Sequence, residues 1–176
     1  MSLGPLMISL KGIALDDDER EWLRSPSVGG VILFTRNFAD LDQLQALVDQ
    51  TRAKWGRIDA AVCAAGILEA PSTIMDMDVE AHDRLWQINY HGTVHTARAV
   101  AKVMEGQGFG SIVTIGDWSI QRPYSDHAAY FVAKGAITTL TRVMAVELAM
   151  RNPKVRVNCI HPGPVMEPPG LDADER

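Results

Sequence analysis

The chain has 176 residues, of which 47% are hydrophobic and 22% charged, a length and composition that suit one globular domain but not two ordinary ones. A formal net charge of -5, a pI near 5.5 and the lack of any Lys/Arg cluster argue against a nucleic-acid surface. No apolar run reaches membrane-spanning length, and the start reads as a strand rather than a signal peptide, so we expect a cytoplasmic protein without a membrane partner.

Strand-like and helical patterns alternate along the whole chain. This alternation predicts a single α/β domain over 1–176, with a doubly wound parallel sheet of about five strands. The predicted strands are 6–10, 29–34, 58–64, 110–116 and 155–160, and the predicted helices are 16–25, 41–54, 78–106 and 128–150.

The first fifty residues carry their own signature. The segments GPLMISLKG at 4–12 and SVGGVILFTRNF at 27–38 flank an acidic helix start. Together they resemble the βαβα start of a glycoside hydrolase family 3 β-N-acetylglucosaminidase. No pair of carboxylates suited to glycoside cleavage follows, so a glycosidase fragment is the weakest functional reading.

A glycine-rich phosphate loop after a first strand is missing from the sequence. Gly29 and Gly30 precede a predicted strand instead of following one, and no Gly-x-Gly-x-x-Gly spacing occurs. We therefore expect weakened binding of a dinucleotide pyrophosphate. We further predict that strand 29–34 docks beside strand 58–64.

Tyr130 and Lys134 lie four residues apart in a predicted helix, so they share one helix face. A phenol next to an ammonium group makes a proton-donating pair, because a nearby cation lowers the pKa of tyrosine from about 10. The same spacing also arises by accident on helix surfaces, so the surrounding motifs decide between the two interpretations.

Five motifs, in order along residues 51–170, resemble the short-chain dehydrogenase/reductase family. They are GRIDAAVCAAG at 56–66, QINYHGT at 87–93, GSIVTIG at 110–116, AYFVAK at 129–134 and VRVNCIHPGP at 155–164. The resemblance implies a Rossmann-like fold and hydride transfer to or from a carbonyl with NAD(P), with NADPH the expected cofactor. It assigns catalysis to Tyr130, Lys134 and Asn89, and cofactor binding to Tyr130 and Lys134 together with Ala64, Ala65, Gly66, Pro162 and Gly163. It would also put Asn37 in the place of an adenine-side aspartate.

Asp117 departs from the family pattern. It stands thirteen positions before Tyr130, where the family usually has serine, and this resembles the Asp-Tyr-Lys set of pteridine reductases. A carboxyl group can carry a proton to a ring nitrogen, so the implied substrate is a carbonyl or an imine/pterin-like compound. Alternatively, Asp117 caps its loop and Ser119 supplies the hydroxyl. Asn89 also has an alternative, since a mid-helix asparagine can simply bond to the preceding turn.

Two further features complete the sequence prediction. Cys63 and Cys159 lie in apolar runs without ligand spacing, which favours buried reduced thiols and no metal. Helix 128–150 is apolar almost all round, so we expect a homo-oligomer through helices 78–106 and 128–150.

The order of resemblances predicts a chimeric or truncated chain, with a glycosidase-like start (1–50) and a reductase-like catalytic half (51–170). The leading functional hypothesis is an NAD(P)-dependent reductase acting on a small molecule. The alternative is a non-catalytic α/β fragment that keeps the motifs without the activity.

Overall fold

The computed structural model describes residues 4–32 and 37–163. In this part of the chain there are five strands, as the sequence predicts, and five α-helices instead of the four predicted, because the predicted helix 78–106 is divided in two. The strands are β1 (Leu6–Ser9), β2 (Val28–Ile32), β3 (Ala60–Cys63), β4 (Gly110–Ile115) and β5 (Val155–Ile160). The helices are α1 (Asp17–Trp22), α2 (Leu41–Trp55), α3 (Val79–Trp86), α4 (Gly92–Gln107) and α5 (Ala128–Arg151).

Helix ends follow local capping rules. Asp16, Asp40 and Asp78 each accept a hydrogen bond from a backbone N–H in the first turn of the helix that follows. Gly56 and Gly108 end α2 and α4 with φ of 75° and 93°, a left-handed conformation that glycine adopts without a steric penalty. These residues are why the predicted boundaries of the helices lie close to the observed ones.

The predicted helix 78–106 is interrupted at its centre. Residues Gln87–His91 form a π-helical turn between α3 and α4. A π-turn holds one more residue than an α-helical turn and often occurs at functional sites. Asn89, a predicted site residue, lies at the middle of this turn.

The strands form two parallel sheets rather than the single sheet that the sequence predicts. One has the order β3-β4-β5, with Ile112 opposite Ala61 and Val157. The other is the pair β1-β2. The predicted docking of strand 29–34 beside strand 58–64 is therefore wrong for the described residues 28–32. Because β1, α1 and β2 form a complete βαβ unit, β2 pairs with the strand of its own unit.

The main core lies on one face of the three-stranded sheet, where α4 and α5 cover it. Its members alternate along β4 and β5, as expected for one face of a strand. Gly110 is required there because a Cβ atom would come within 2.4 Å of the Met104 side chain. The buried residues of this core include Cys63, Ala97, Val100, Met104, Ile112, Leu148, Val155 and Val157.

The opposite face of this sheet is more open. Val62 and Ile160, whose side chains point to it, are 58% and 53% exposed. The Rossmann-like α/β architecture is confirmed, with its packed helix layer on the α4/α5 side of the described sheet. Within residues 4–32 and 37–163, no helix combines the length and apolar character needed to cross a membrane.

Candidate active site

The carboxyl ends of β3, β4 and β5 bring the predicted motifs to one edge of the sheet. Residues 64–66 follow β3, Asp117 comes two residues after β4, and residues 161–163 follow β5. Since the three strands are parallel and adjacent, these ends are neighbours. Ligands of open α/β sheets bind at such an edge, so the fold places the predicted residues where a site is expected.

Tyr130 and Lys134 lie on the same face of α5, as their spacing predicts. The Lys134 ammonium group is 5.5 Å from the centroid of the Tyr130 ring. Lys134 is only 6% exposed, and its Nζ donates a hydrogen bond to the backbone carbonyl of Ile115 at 3.0 Å. The lysine is thus anchored to the end of β4 rather than to the tyrosine hydroxyl.

Asp117 contacts the tyrosine directly. The Tyr130 hydroxyl donates to Asp117 Oδ2 at 3.0 Å. Asp117 Oδ1 accepts hydrogen bonds from the Ser119 backbone N–H at 2.9 Å and from the Ser119 hydroxyl at 2.5 Å. Asp117 therefore caps the short turn 118–120, as one of the two alternatives holds, and also accepts a hydrogen bond from the Tyr130 phenol, while the Ser119 hydroxyl donates to the carboxylate.

The pKa directions revise the predicted electrostatics of the pair. Burial raises the pKa of Tyr130, and the hydrogen bond to the Asp117 carboxylate and its negative charge raise it further. Burial lowers the pKa of Lys134, although the charge of Asp117 opposes this shift. The pKa of Tyr130 is therefore raised rather than lowered in this state, because the phenol hydroxyl is partly buried and faces an anion.

Asp117 is held in its ionised form. Partial burial acts to raise its pKa, but hydrogen bonds from Ser119 and Tyr130 and the positive charge of Lys134 outweigh burial and lower it. A carboxylate with a lowered pKa accepts hydrogen bonds and is a poor proton donor near neutral pH. Asp117 therefore acts as an acceptor here, and the proton of its hydrogen bond with Tyr130 belongs to the phenol.

Asn89 joins the helix to the loop after β3. Its Oδ1 accepts from the Ile67 backbone N–H at 2.7 Å, and its Nδ2 donates to the Ile67 carbonyl at 2.8 Å. The side chain therefore bonds across to another segment, not to the preceding helical turn. Gly66 lies against this contact, because a Cβ atom there would be 3.2 Å from Asn89 Oδ1 and 3.9 Å from Lys134 Nζ.

Glu69 is a site residue that the sequence analysis did not identify. Its Oε1 accepts from the Tyr130 backbone N–H at 3.2 Å, while Oε2 is buried without a hydrogen-bond partner in the described structure. An isolated acidic residue in the loop after Gly66 was the available signal, but the sequence gives no sign that it meets the first turn of α5.

Other predicted residues have different surroundings. Asn37 is buried, and its Nδ2 donates to the backbone carbonyls of Leu10 and Gly12, so its amide ties two segments of the N-terminal part together. Cys63 is buried and Cys159 partly buried, and both are free thiols. Among the described residues, no group of three or more Cys, His, Asp or Glu could hold a metal ion.

The residues at the sheet edge fit the nicotinamide side of a dinucleotide cofactor. Ala64 and Gly66 are exposed after β3, and Gly163 is exposed after β5. Gly163 also lies near an aromatic wall, since a Cβ atom there would be 3.8 Å from the Trp118 ring. Small residues and open backbone at this edge allow a flat ring to approach closely.

Known proteins resemble this chain over most of its length. The family model described as enoyl-(acyl carrier protein) reductase matches residues 15–173, a range that includes much of the segment with the glycosidase-like signature. "Dehydrogenase/reductase SDR family member 4" of Sus scrofa is 32% identical over 137 residues, which are 78% of this chain and 47% of that protein. D-erythrulose reductase of Gallus gallus is 35% identical over 124 residues, which are 65% of this chain and 50% of that protein.

Solved structures show the same relationship. NAD+-bound xylitol dehydrogenase matches with a TM-score of 0.72 and 28% identity, over 84% of this chain and 55% of that chain. A short-chain type dehydrogenase/reductase from Mycobacterium marinum matches with a TM-score of 0.69 and 29% identity, over 92% of this chain and 75% of that chain. The chain spans about half the length of the curated relatives it matches.

Proposed function

The chain belongs to the short-chain dehydrogenase/reductase family, and we propose that it is an NAD(P)-dependent oxidoreductase in which Tyr130 is the proton donor. The substrate is a small molecule with a carbonyl or an imine/pterin-like group. The observation that carries this proposal is the 3.0 Å hydrogen bond between the Tyr130 hydroxyl and Asp117 at the carboxyl end of β4.

The chemistry divides between the cofactor and the side chains. When bound, the nicotinamide cofactor supplies or accepts the hydride. Tyr130 gives its hydroxyl proton to the substrate oxygen or nitrogen and must then be stabilised as a phenolate. Lys134 is buried within 5.5 Å of the ring centroid, so it is the cation available to stabilise that charge.

Asp117 has an orienting role in this proposal. When no substrate is bound, the Asp117 carboxylate stabilises the protonated form of Tyr130, so the proton donor keeps its proton. A substrate oxygen or nitrogen that replaces this carboxylate as the hydrogen-bond acceptor would release the phenol for proton transfer. Asn89 would hold the loop after β3, which carries Ala64, Ala65 and Gly66, against the cofactor.

A direct binding experiment tests the proposal. We expect saturable binding of NADPH, followed by nicotinamide fluorescence, and weaker binding of NADH. Tyr130→Phe should abolish turnover and preserve cofactor affinity, because only the hydroxyl is lost. If neither cofactor binds at millimolar concentration, the alternative of a non-catalytic α/β fragment replaces this one.

A second comparison addresses substrate class. Asp117→Ser should sharply reduce the reduction of a pterin-like compound, since a carboxylate suits ring nitrogens that donate hydrogen bonds. Simple carbonyl reduction should survive this substitution. Equal loss of both reactions would contradict the substrate role of Asp117 and leave it as a structural cap.

We also propose that the protein forms homo-oligomers through residues 78–106 and 128–150. Apolar side chains on the outer side of α5, namely Val132, Val143, Val146 and Met150, are exposed. Exposed apolar surface of this kind commonly marks an interface. Val146→Glu should shift the mass measured by light scattering to that of the monomer, whereas an unchanged mass would place the interface elsewhere.

A further inference from the structure

A cavity of about 340 Å³ lies beside the proposed active site. It opens between the turn that follows Asp117, helix α5 and the end of β5. Neither Tyr130 nor Lys134 lines it, so it is a separate space next to the reacting groups. Its wall is formed by Trp118, Gln121, Arg122, Arg142 and His161.

The arginines in this wall give it a positive charge. Arg122 and Arg142 both line the cavity, and none of the described residues that line it is acidic. Neither guanidinium makes an ion pair or a side-chain hydrogen bond within residues 4–32 and 37–163. Two unpaired cations at one cavity are notable in a chain whose net charge is -5. Their mutual repulsion is relieved when an anion lies between them.

The chemistry of the wall suits an oxyanion in particular. A guanidinium group presents a planar set of N–H donors that matches two oxygens of a carboxylate or phosphate. The Gln121 amide adds a further neutral donor at the same wall. Trp118 contributes an apolar surface, which would lie along the uncharged part of a ligand.

The cavity is coupled to the catalytic residues through short contacts. The Trp118 backbone N–H donates to the Pro162 carbonyl at 3.2 Å, and Trp118 directly follows Asp117. His161 Nε2 lies 3.3 Å from the Thr138 hydroxyl, which itself donates to the Lys134 carbonyl at 3.1 Å. A ligand in the cavity is therefore next to the loop of Asp117 and one helical turn from Lys134.

We propose that this cavity is an oxyanion subsite, in which Arg122 and Arg142 bind the carboxylate or phosphate group of the substrate. The rest of the substrate extends along Trp118 toward Asp117 and Tyr130. The inference deepens the proposed function, because it assigns the reductase a substrate that carries an anionic group. It also accounts for two arginines that make no ion pair with the part of the chain that the structure describes.

The test is equilibrium binding to the full chain without cofactor, at low ionic strength to limit screening. The probes are inorganic phosphate and succinate, with the neutral succinamide as the control ligand. Binding is followed by calorimetry and by tryptophan fluorescence. We expect both anions to bind and succinamide not to bind, and we expect the fluorescence response to be lost in Trp118→Phe.

Arginine variants show which residues bind the anion. Arg122→Gln and Arg142→Gln should each weaken anion binding about tenfold, the loss of one charge-assisted contact of roughly 1.4 kcal/mol. Arg156→Gln, on the exposed side of β5, is the matched control and should leave binding unchanged. The proposal is overturned if the wild type binds neither anion at tens of millimolar, or if the control weakens binding equally.

The reductase proposal and the oxyanion-subsite proposal can be refuted independently. If the anions bind and NADPH does not, the reductase proposal is refuted and the cavity remains an anion site. NADPH binding without anion binding would keep the reductase and remove the anionic substrate. Preference for phosphate over succinate, or the reverse, distinguishes the two classes of oxyanion.

Discussion

Asp117→Asn is expected to make the Tyr130 hydroxyl easier to ionise. The substitution removes the negative charge that faces the phenol but leaves an amide oxygen of the same shape, so the fold of the loop is preserved. In the wild type, burial raises the pKa of Tyr130 first, and the hydrogen bond and charge of Asp117 raise it further. In the variant, burial still raises the pKa, together with the charges of Tyr124 and Glu69 and a weaker hydrogen bond to the amide oxygen.

The size of the pKa change follows from the hydrogen bond between Tyr130 and Asp117. A hydrogen bond to a charged group stabilises by about 1.5–3 kcal/mol, and a neutral acceptor contributes about half as much. The difference of roughly 1 kcal/mol or more corresponds to about one pH unit in the titration of the phenol, at about 1.4 kcal/mol per unit. The phenolate of Tyr130 should therefore appear at a lower pH than in the wild type.

The assay is a spectrophotometric titration of phenolate absorbance. The chain has three tyrosines, so the Tyr130 contribution is taken as the difference from Tyr130→Phe in each background. Asp83→Asn, which removes an exposed carboxylate from α3, is the control and should leave unchanged the pH at which the Tyr130 phenolate appears. An unchanged or higher Tyr130 titration in Asp117→Asn would refute the argument that the carboxylate stabilises the neutral phenol.

Two substitutions and one comparison of thiol reactivity give further predictions. Gly66→Ala should destabilise the fold by about 1–3 kcal/mol, because its methyl group would lie 3.2 Å from Asn89 Oδ1 and disturb a buried hydrogen-bonded amide; denaturant unfolding measures this. Met104→Ala should cost about 2–5 kcal/mol by the same measurement, since Met104 is fully buried under the sheet. Burial raises the pKa of Cys63 to about 12, so Cys63 should react with a thiol reagent at neutral pH far more slowly than Cys159.

Matched controls accompany these changes. Gly12→Ala adds a methyl group where no atom lies within 4 Å, so a loss as large as that of Gly66→Ala would contradict the steric explanation. Met75→Ala truncates a side chain that is 87% exposed and should change stability by less than about 0.5 kcal/mol. Equal rates for the two thiols would mean that Cys63 is reached by local opening of the fold.

The sequence predicts the elements and the composition of the site because those depend on local patterns. Spacing by four residues places Tyr130 and Lys134 on one face of a helix, and the strand that ends at Ile115 places Asp117 at the ligand-binding edge. Periodicity and capping residues are properties of short segments, so they can be read without the tertiary structure.

Other features depend on contacts between distant segments. The pairing of β2 with β1 is a choice between partners that an apolar strand pattern does not specify. The pKa of Tyr130 depends on which charged group its hydroxyl faces, and the hydrogen bond to Asp117 is visible only in three dimensions. The contact of Glu69 with the first turn of α5 spans 61 positions and leaves no local signal.

The π-turn at Gln87–His91 changes the phase of the long helix that contains it. One extra residue rotates all later side chains by about 100° relative to an uninterrupted α-helix. Leu85, before the turn, packs with Ala129 and Ala133, whereas Met104, after it, packs with the strands. The continuous helix made of α3, the π-turn and α4 thus packs against two separate apolar clusters. Deleting one residue from the turn would rotate Met104 away from its cluster while leaving the length of the helix almost unaltered.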